Sequence, residues 1–589
     1  MAMAASKLKA FKDAMLPEPS FQSWPAYRSA LRNTGLRFRE RVFARTSVQA
    51  EVEDITLRSK NKLTKSLNWW DLLWLSIGAV VGAGIFVVTG EQARDVVGPG
   101  IIISNVVAGI SSMLSVFCYT EFSIEVPVAG GSYAFLRVEM GEFVAFIAAG
   151  NILLEYLIGQ GAIARAWTSY FATLINKEPD QLRIHTNLAN NFNLLDPIAA
   201  IVIWISGLAV IFSTRVTSTL NWIASLVNMV VIGFVICGGL THADIANFRP
   251  FLPFGVKGIF SAAAIVYFAY LGFDAVATMA EETKNPARDI PIGLLGSMSI
   301  VTVIYCLMAL ALCLMQKYSD LNKDAPFSFA FRAVGWRWAQ YLVALGALKG
   351  MTTVLLVGNV SQARYITHMA RTHMISPWFA HVNASTHTPI RATVVMLLLA
   401  SIIGFFTSLG TLTSLLSIST LTIFMLVAVA LIIRRYYIPE QTPPATLRLL
   451  ISLLLIIIAA SIGISAYWAL SSGWIPHIIL FTIWFAATFS IWFFIPRVRQ
   501  PKVWGVPLVP WIPSLSIGIN IFLLGSVDRD SYIRFGVMTV IILLYYICFG
   551  LHATYDAAME IEKGPADSEL QAKSFPTDQQ AEKDVNEAP

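Results

Sequence analysis

The chain has 589 residues, of which 56% are apolar and 13% charged, with a formal net charge of +6; soluble domains run near 45–50% apolar and about 25% charged, so this balance excludes an ordinary soluble protein and points to lipid. Its basic residues sit in separate loops rather than in a groove interleaved with aromatics, which argues against nucleic acid as a partner. Cys118, Cys237, Cys306, Cys313 and Cys548 all fall in apolar stretches without a CxxC pair or a His at ligand spacing, so neither a disulfide framework nor a metal is expected.

In chain order, residues 1–68 are polar and lack a signal peptide, so the first span is expected to act as its own targeting element and the N-terminus to stay cytosolic. From Trp69 onward there are about 14 apolar stretches near the roughly 20 residues a spanning helix needs. They cover 69–89, 98–120, 142–174, 195–212, 216–240, 258–279, 291–315, 339–362, 390–408, 411–433, 447–468, 475–495, 511–527 and 533–553. The third exceeds a bilayer's thickness and should tilt or project. With the N-terminus inside, cytosolic loops collect Arg37, Arg39, Arg41, Lys284, Arg288, Arg371, Arg434, Arg435, Arg497 and Arg499. The opposite loops hold fewer, which places both termini in the cytosol by the positive-inside rule. Residues 556–589 are acidic and Gln/Lys-rich without apolar periodicity, the composition of a disordered tail.

Two spans carry internal breaks. In SIGAVVGAGIF, Gly78, Gly82 and Gly84 interrupt the first; each interior Gly costs about 1 kcal/mol against Ala, and such a run lets the helix unwind. Unwound backbone survives in hydrocarbon only where it is buried in protein or lines a cavity, and the amides at a half-helix start hold anions. Gly78 and Gly82 equally satisfy the small-xxx-small spacing of close helix packing. The second break lies five spans later, in YFAYLGFDAVATMAEET, with Gly272 and Asp274 at its centre. Corresponding breaks in two halves are the mark of an inverted-repeat transporter. The expected architecture is an all-α polytopic membrane protein, with repeats at 69–240 and 258–433 in a LeuT-like 5+5 core and four added helices at 447–553.

Ionisable groups at membrane depth are costly and mark function. Glu155 stands mid-span in AAGNILLEYLIG, Asp274 follows the second break, and Lys349 sits in ALGALKGMTTVLLVG. Glu155 reads as a proton-titrating carboxylate or a counter-ion to a cationic substrate, or else as a static partner of Lys349 or Arg165; Lys349 reads as structural. Phe268 and Tyr270 flank the second break, where an aromatic either covers a solute or simply packs. No HExxH, GxSxG or P-loop string is present, so an enzyme is not expected.

The strings GAVVGAGIF, FCYTEF, EVPVAGGSYAFLRVEMGEF, AAGNILLEY and YLGFDAVATMAEETKNPARDIPIG together resemble the cationic amino acid transporters of the amino acid-polyamine-organocation superfamily. The strings LPEPSFQSW, RRYY, PKVWGVPLVPW and GLHATYD resemble the plant branch. The resemblance implies secondary transport of amino acids, arginine and lysine prominent among them, by alternating access with protons as the coupling ion, and no cofactor. It implies that Gly82, Ala83 and Gly84, with Ile85 beside them, hold the substrate carboxylate, and that Phe268, Ala269 and Gly272 lie near its amino group. Phe268 matches a substrate-covering aromatic, while Glu155 and Asp274 match acidic positions of the site. Asn228 stands where bacterial relatives carry a Lys, and with Lys349 it completes the expected coupling and gating set. A broad-range amino acid or polyamine carrier and a non-transporting amino acid sensor remain alternatives. The leader points to the plasma membrane, with the vacuolar membrane as the other home of the branch; the residues do not specify an oligomeric state.

Overall fold

Backbone amides and carbonyls have no water to pair with in hydrocarbon, and helices satisfy them within one segment. The computed structural model of the chain describes residues 15–45, 67–127, 130–189, 192–212, 214–383, 388–470 and 473–560. Two short helices, α1 (Trp24–Arg32) and α2 (Thr34–Arg41), precede the apolar region. α3 (Trp69–Val80) starts where Asn68 Oδ1 accepts the amides of Trp70 and Asp71 while the Asp71 carboxylate takes the Asn68 amide in return, a reciprocal cap. Beyond a break the chain resumes in wide π turns at Gly84–Val88 and Ala93–Val97, separated by one α turn at Thr89–Gln92.

The first half continues with α4 (Ile101–Glu125), the short α5 (Gly131–Glu139), α6 (Glu142–Leu174), α7 (Pro197–Phe212) and α8 (Thr214–Thr241). A two-residue β-ladder, Ile184–His185 with Leu194–Leu195, closes the loop between α6 and α7. The second half holds α9 (Gly255–Val266), a tight turn at Tyr267–Tyr270, α10 (Phe273–Ala277), α11 (Pro286–Met315), α12 (Pro326–Ala333), α13 (Arg337–Arg371), α14 (Ile390–Phe406) and α15 (Leu409–Tyr436). Last come α16 (Pro444–Ala469), α17 (Trp474–Phe494), α18 (Trp511–Leu524) and α19 (Arg529–Tyr545).

A helix falls within every apolar stretch read from the sequence, but the lengths differ from the expected near-uniform spans. Eight helical segments among the described residues are long and apolar enough to cross a membrane, and six further apolar helices are shorter, at 10–17 residues. The breaks shorten α3 and α9, while α13 runs on to Arg371, past the expected end at 362. Helix also persists to Glu560, so the stretch from 556 begins as helix; residues 561–589 lie outside those described.

α4, α6, α11, α13 and α15 form the packed centre around the broken segments. α11 lies against α3 and α4, α13 against α6, and α15 against α6 and α18. The last helices form a separate layer in which α16 packs on α17 and α18. The ends are tied by ionic contacts. Arg435 Nε meets Glu121 at 2.7 Å, and the same carboxylate accepts the Val506 amide at 2.7 Å, so α15, α4 and the segment before α18 converge on it. Arg434 bridges Glu125 and Glu139. The α1–α2 pair lies across α6 and the end of the last helix through Arg37–Asp556 and Arg41–Glu142. Finally, Leu67 forms a parallel bridge with the strand-like turn at Thr283: its amide donates to Glu282 O at 3.0 Å and its carbonyl accepts from Lys284 N at 2.8 Å.

Candidate functional site

Unwinding in the first broken segment is confined to Val81 and Gly82, where Val81 takes an extended conformation with ψ 98°; Gly78, expected to share in it, remains helical within α3. Three side chains receive the carbonyls around the break. Tyr305 Oη lies 3.1 Å from Val80 O, Asn228 Nδ2 donates to Val81 O at 3.4 Å, and Tyr170 Oη donates to Phe86 O at 2.7 Å. The donors are treated differently. No side chain among the described residues caps the turn that begins at Ala83 and Gly84, so its first amides are the orphan donors of a helix N-terminus.

In the second segment Leu271 is extended, with ψ 151°, and Gly272 has φ +117°, a conformation that a residue with a Cβ rarely adopts. The two breaks cross each other through their glycines. A Cβ on Gly84 would stand 2.3 Å from Ala269 Cα, and one on Gly272 would stand 2.6 Å from Ala79 O. Each glycine thus lets its own segment touch the backbone of the other, and Tyr305 fastens the pair by also reaching Ala269 O at 2.8 Å.

Beside this crossing is a cavity of about 110 Å³, large enough to hold several waters. Gly82, Ala83 and Gly84 of the first break and Phe268, Gly272 and Asp274 of the second line it, together with Glu155 of α6. These expected residues, far apart in the chain, therefore meet in one space. The others stand elsewhere. Ile85 is fully buried, and Ala269 is 1% exposed behind the wall with its carbonyl engaged by Tyr305. Asn228 sits one layer out, where it holds the Val81 carbonyl. Lys349 is absent from the lining, and neither it nor Arg165 forms an ion pair with Glu155 among the described residues. Arg165 instead donates to the carbonyls of Leu194, Gly404 and Phe405, closing the end of α14. Tyr270 donates to Asn105 O at 2.8 Å, so of the two flanking aromatics Phe268 alone lines the cavity.

Sequence reasoning missed Tyr156, Gln160 and Ser361, polar members of the wall. The available signal was helical spacing: Tyr156, Gly159, Gln160 and Ile163 follow Glu155 along one face of α6. The lining contains two carboxylates and no Lys, Arg or His among the described residues.

Residues 67–511 match the family model described as amino acid permease, and residues 504–554 match that described as the C-terminus of the same permeases. The chain belongs to the amino acid permease family. Among curated relatives, this permease is 57% identical over 549 residues to cationic amino acid transporter 5 of Arabidopsis thaliana, covering 93% of this chain and 96% of that protein. It is also 57% identical to cationic amino acid transporter 1 of the same plant, covering 93% and 92%. Vacuolar cationic amino acid transporter 8 matches at 51%, covering 93% of each. The permease is accordingly an integral membrane carrier of the plant cationic amino acid transporter group, not an enzyme.

Proposed function

We propose that this permease carries cationic amino acids, arginine and lysine foremost, by alternating access coupled to protons. The observation that supports this best is the sign of the cavity wall: Glu155 and Asp274 line it and no basic side chain among the described residues does. Holding carboxylates away from water is costly, and an entering ammonium or guanidinium offsets that cost. The orphan amides at Ala83 and Gly84 receive the substrate carboxylate, as helix N-termini receive anions. Phe268, a lining residue that is 7% exposed, covers the solute. Glu155 carries the coupling proton, Asp274 the substrate's positive end, and Asn228 steadies the first break where a bacterial relative would use an ammonium. Lys349, away from the wall, is structural.

In this reading 69–240 and 258–433 are inverted five-helix repeats and 447–553 adds four helices, giving 14 crossings. Both termini face the cytosol, in keeping with the basic loops, and the LPEPSFQSW leader favours the plasma membrane. The names of the relatives above point to the same substrate class.

The test is competition-profiled uptake in a transport-deficient host. Labelled arginine should enter faster as the inward proton gradient rises and should yield to lysine more readily than to alanine, glutamate or putrescine. Glu155→Gln should lower uptake by at least about tenfold, the scale of a lost charge-assisted contact, and remove the gradient dependence. Uptake that ignores the gradient in the unaltered protein would end the coupling assignment, and binding without counterflow in liposomes would favour a sensor.

A further inference from the structure

Behind the cavity a chain of carboxamides runs from α6 through α13 to a hydroxyl on α7. Gln160 of α6 lines the cavity and is 3% exposed. Its Nε2 donates to Asn359 Oδ1 at 2.6 Å and to Gln362 Oε1 at 2.9 Å, both on α13. Amide N and O have nearly the same shape, so such assignments follow from the network rather than from outline. Here the network ends on Ser206 of α7. The Ser206 hydroxyl commits its single hydrogen to Ile203 O at 2.9 Å, so toward Asn359, 3.1 Å away, its oxygen can only accept. Asn359 must therefore turn Nδ2 to Ser206 and Oδ1 to Gln160.

That turn decides the next one. Gln160 must meet Asn359 Oδ1 with Nε2, and its second N–H goes to Gln362, which uses both donors. What remain are Gln160 Oε1 at the cavity end and Gln362 Nε2 at the other, both buried and without a hydrogen-bond partner among the described residues. Buried amide oxygens are seldom left unmatched. This one belongs to a residue of the cavity wall, five residues along α6 from Glu155 and beside Gly358, where a Cβ would already lie 3.7 Å from Gln160 Nε2.

We propose that Gln160 Oε1 accepts an N–H from the distal ammonium or guanidinium of the substrate, making Gln160 a specificity-determining residue of the carrier. The assignment rests on the cationic reading above and deepens it. A side chain ending in N–H satisfies the oxygen, whereas an aliphatic one of equal length leaves it buried and unmatched, so discrimination comes from both the bond gained and the bond denied. Asn359 and Gln362 act through Gln160 by occupying both of its N–H groups, and Ser206 acts through Asn359, so they are positioning residues.

The experiment compares inhibition of labelled arginine uptake by lysine and by norleucine, which has the same carbon chain without the terminal ammonium. In the full-length protein, Gln160→Met should raise the inhibition constant for lysine about tenfold, the scale of one hydrogen bond to a charged group, and leave that for norleucine unchanged. Gln160→Asn, which keeps the amide but draws it back, should give an intermediate ratio and serves where the Met variant does not reach the membrane. An unaltered protein that takes lysine no better than norleucine overturns the cationic reading and this assignment with it. An unaltered protein that prefers lysine, with variants that keep its ratio or weaken both inhibitors alike, overturns the Gln160 assignment alone.

Discussion

The crossing of the two broken segments and the layer of four C-terminal helices are built from similar apolar residues but held by different means. At the crossing, glycine is pressed onto backbone, and Tyr305, Asn228 and Tyr170 take up the carbonyls that the breaks expose. In the outer layer most side chains face away from the protein: only 22% of the apolar window of α17 is buried, against 78% of that of α15. The lesson is that helix-breaking is affordable only where neighbouring helices supply both the polar partners and the shape; the outer layer has continuous helices because lipid supplies neither.

Substitutions should separate the two regions by the size of their effects. The largest is expected where they are joined. Arg435→Met leaves Glu121, 1% exposed, without its guanidinium, and breaking a buried pair in this way costs about 3–5 kcal/mol; thermal unfolding in detergent should shift down markedly, and an unchanged midpoint would show that the joint is not needed. Gly84→Ala comes next. Its Cβ meets Ala269 Cα at 2.3 Å, backbone that cannot rotate aside, so an overpacking cost of about 1–3 kcal/mol should accompany loss of uptake per molecule at the cell surface. Tyr305→Phe removes the single O–H that Val80 O and Ala269 O share at 3.1 and 2.8 Å, a loss of about 1–3 kcal/mol that should appear as lower stability and several-fold slower uptake. In the outer layer the same chemistry should do little. Where that layer meets the centre, just past α19, Tyr546 is fully buried against Phe143 and Phe146 of α6, but its hydroxyl has no hydrogen-bond partner among the described residues, so Tyr546→Phe should lose no stability. Gly536 has nothing within 4 Å of a Cβ, so Gly536→Ala should gain up to about 1 kcal/mol from helix propensity. Equal losses in both regions would erase the distinction.

The positions of both breaks were legible because glycine clusters in an apolar run conflict with a smooth helix, and only a cavity or a close crossing resolves that conflict. Glu155 and Asp274 were legible because a carboxylate at membrane depth needs a reason. Which of these glycines serves a turn and which a contact was not legible: Gly272 adopts positive φ, Gly84 makes room for Ala269, and Gly78 stays helical. The Gln160 network escaped notice because its members are 199 and 202 residues apart, and a lone Gln in a span carries no pattern. Lys349, read from the sequence as structural, does not line the cavity. The ionic ties of α1 and α2 depend on where a polar leader folds back, which hydropathy does not record.

The parallel bridge at Leu67 makes the start of the first broken segment and the outlet of the second into one mechanical part. Two backbone bonds, at 3.0 and 2.8 Å, join them just outside the crossing, where the glycine contacts already lock the segments at mid-length. A lower limb fastened at both points cannot swing alone: displacing the start of α3 either drags the residues after α10 along or breaks those two bonds first.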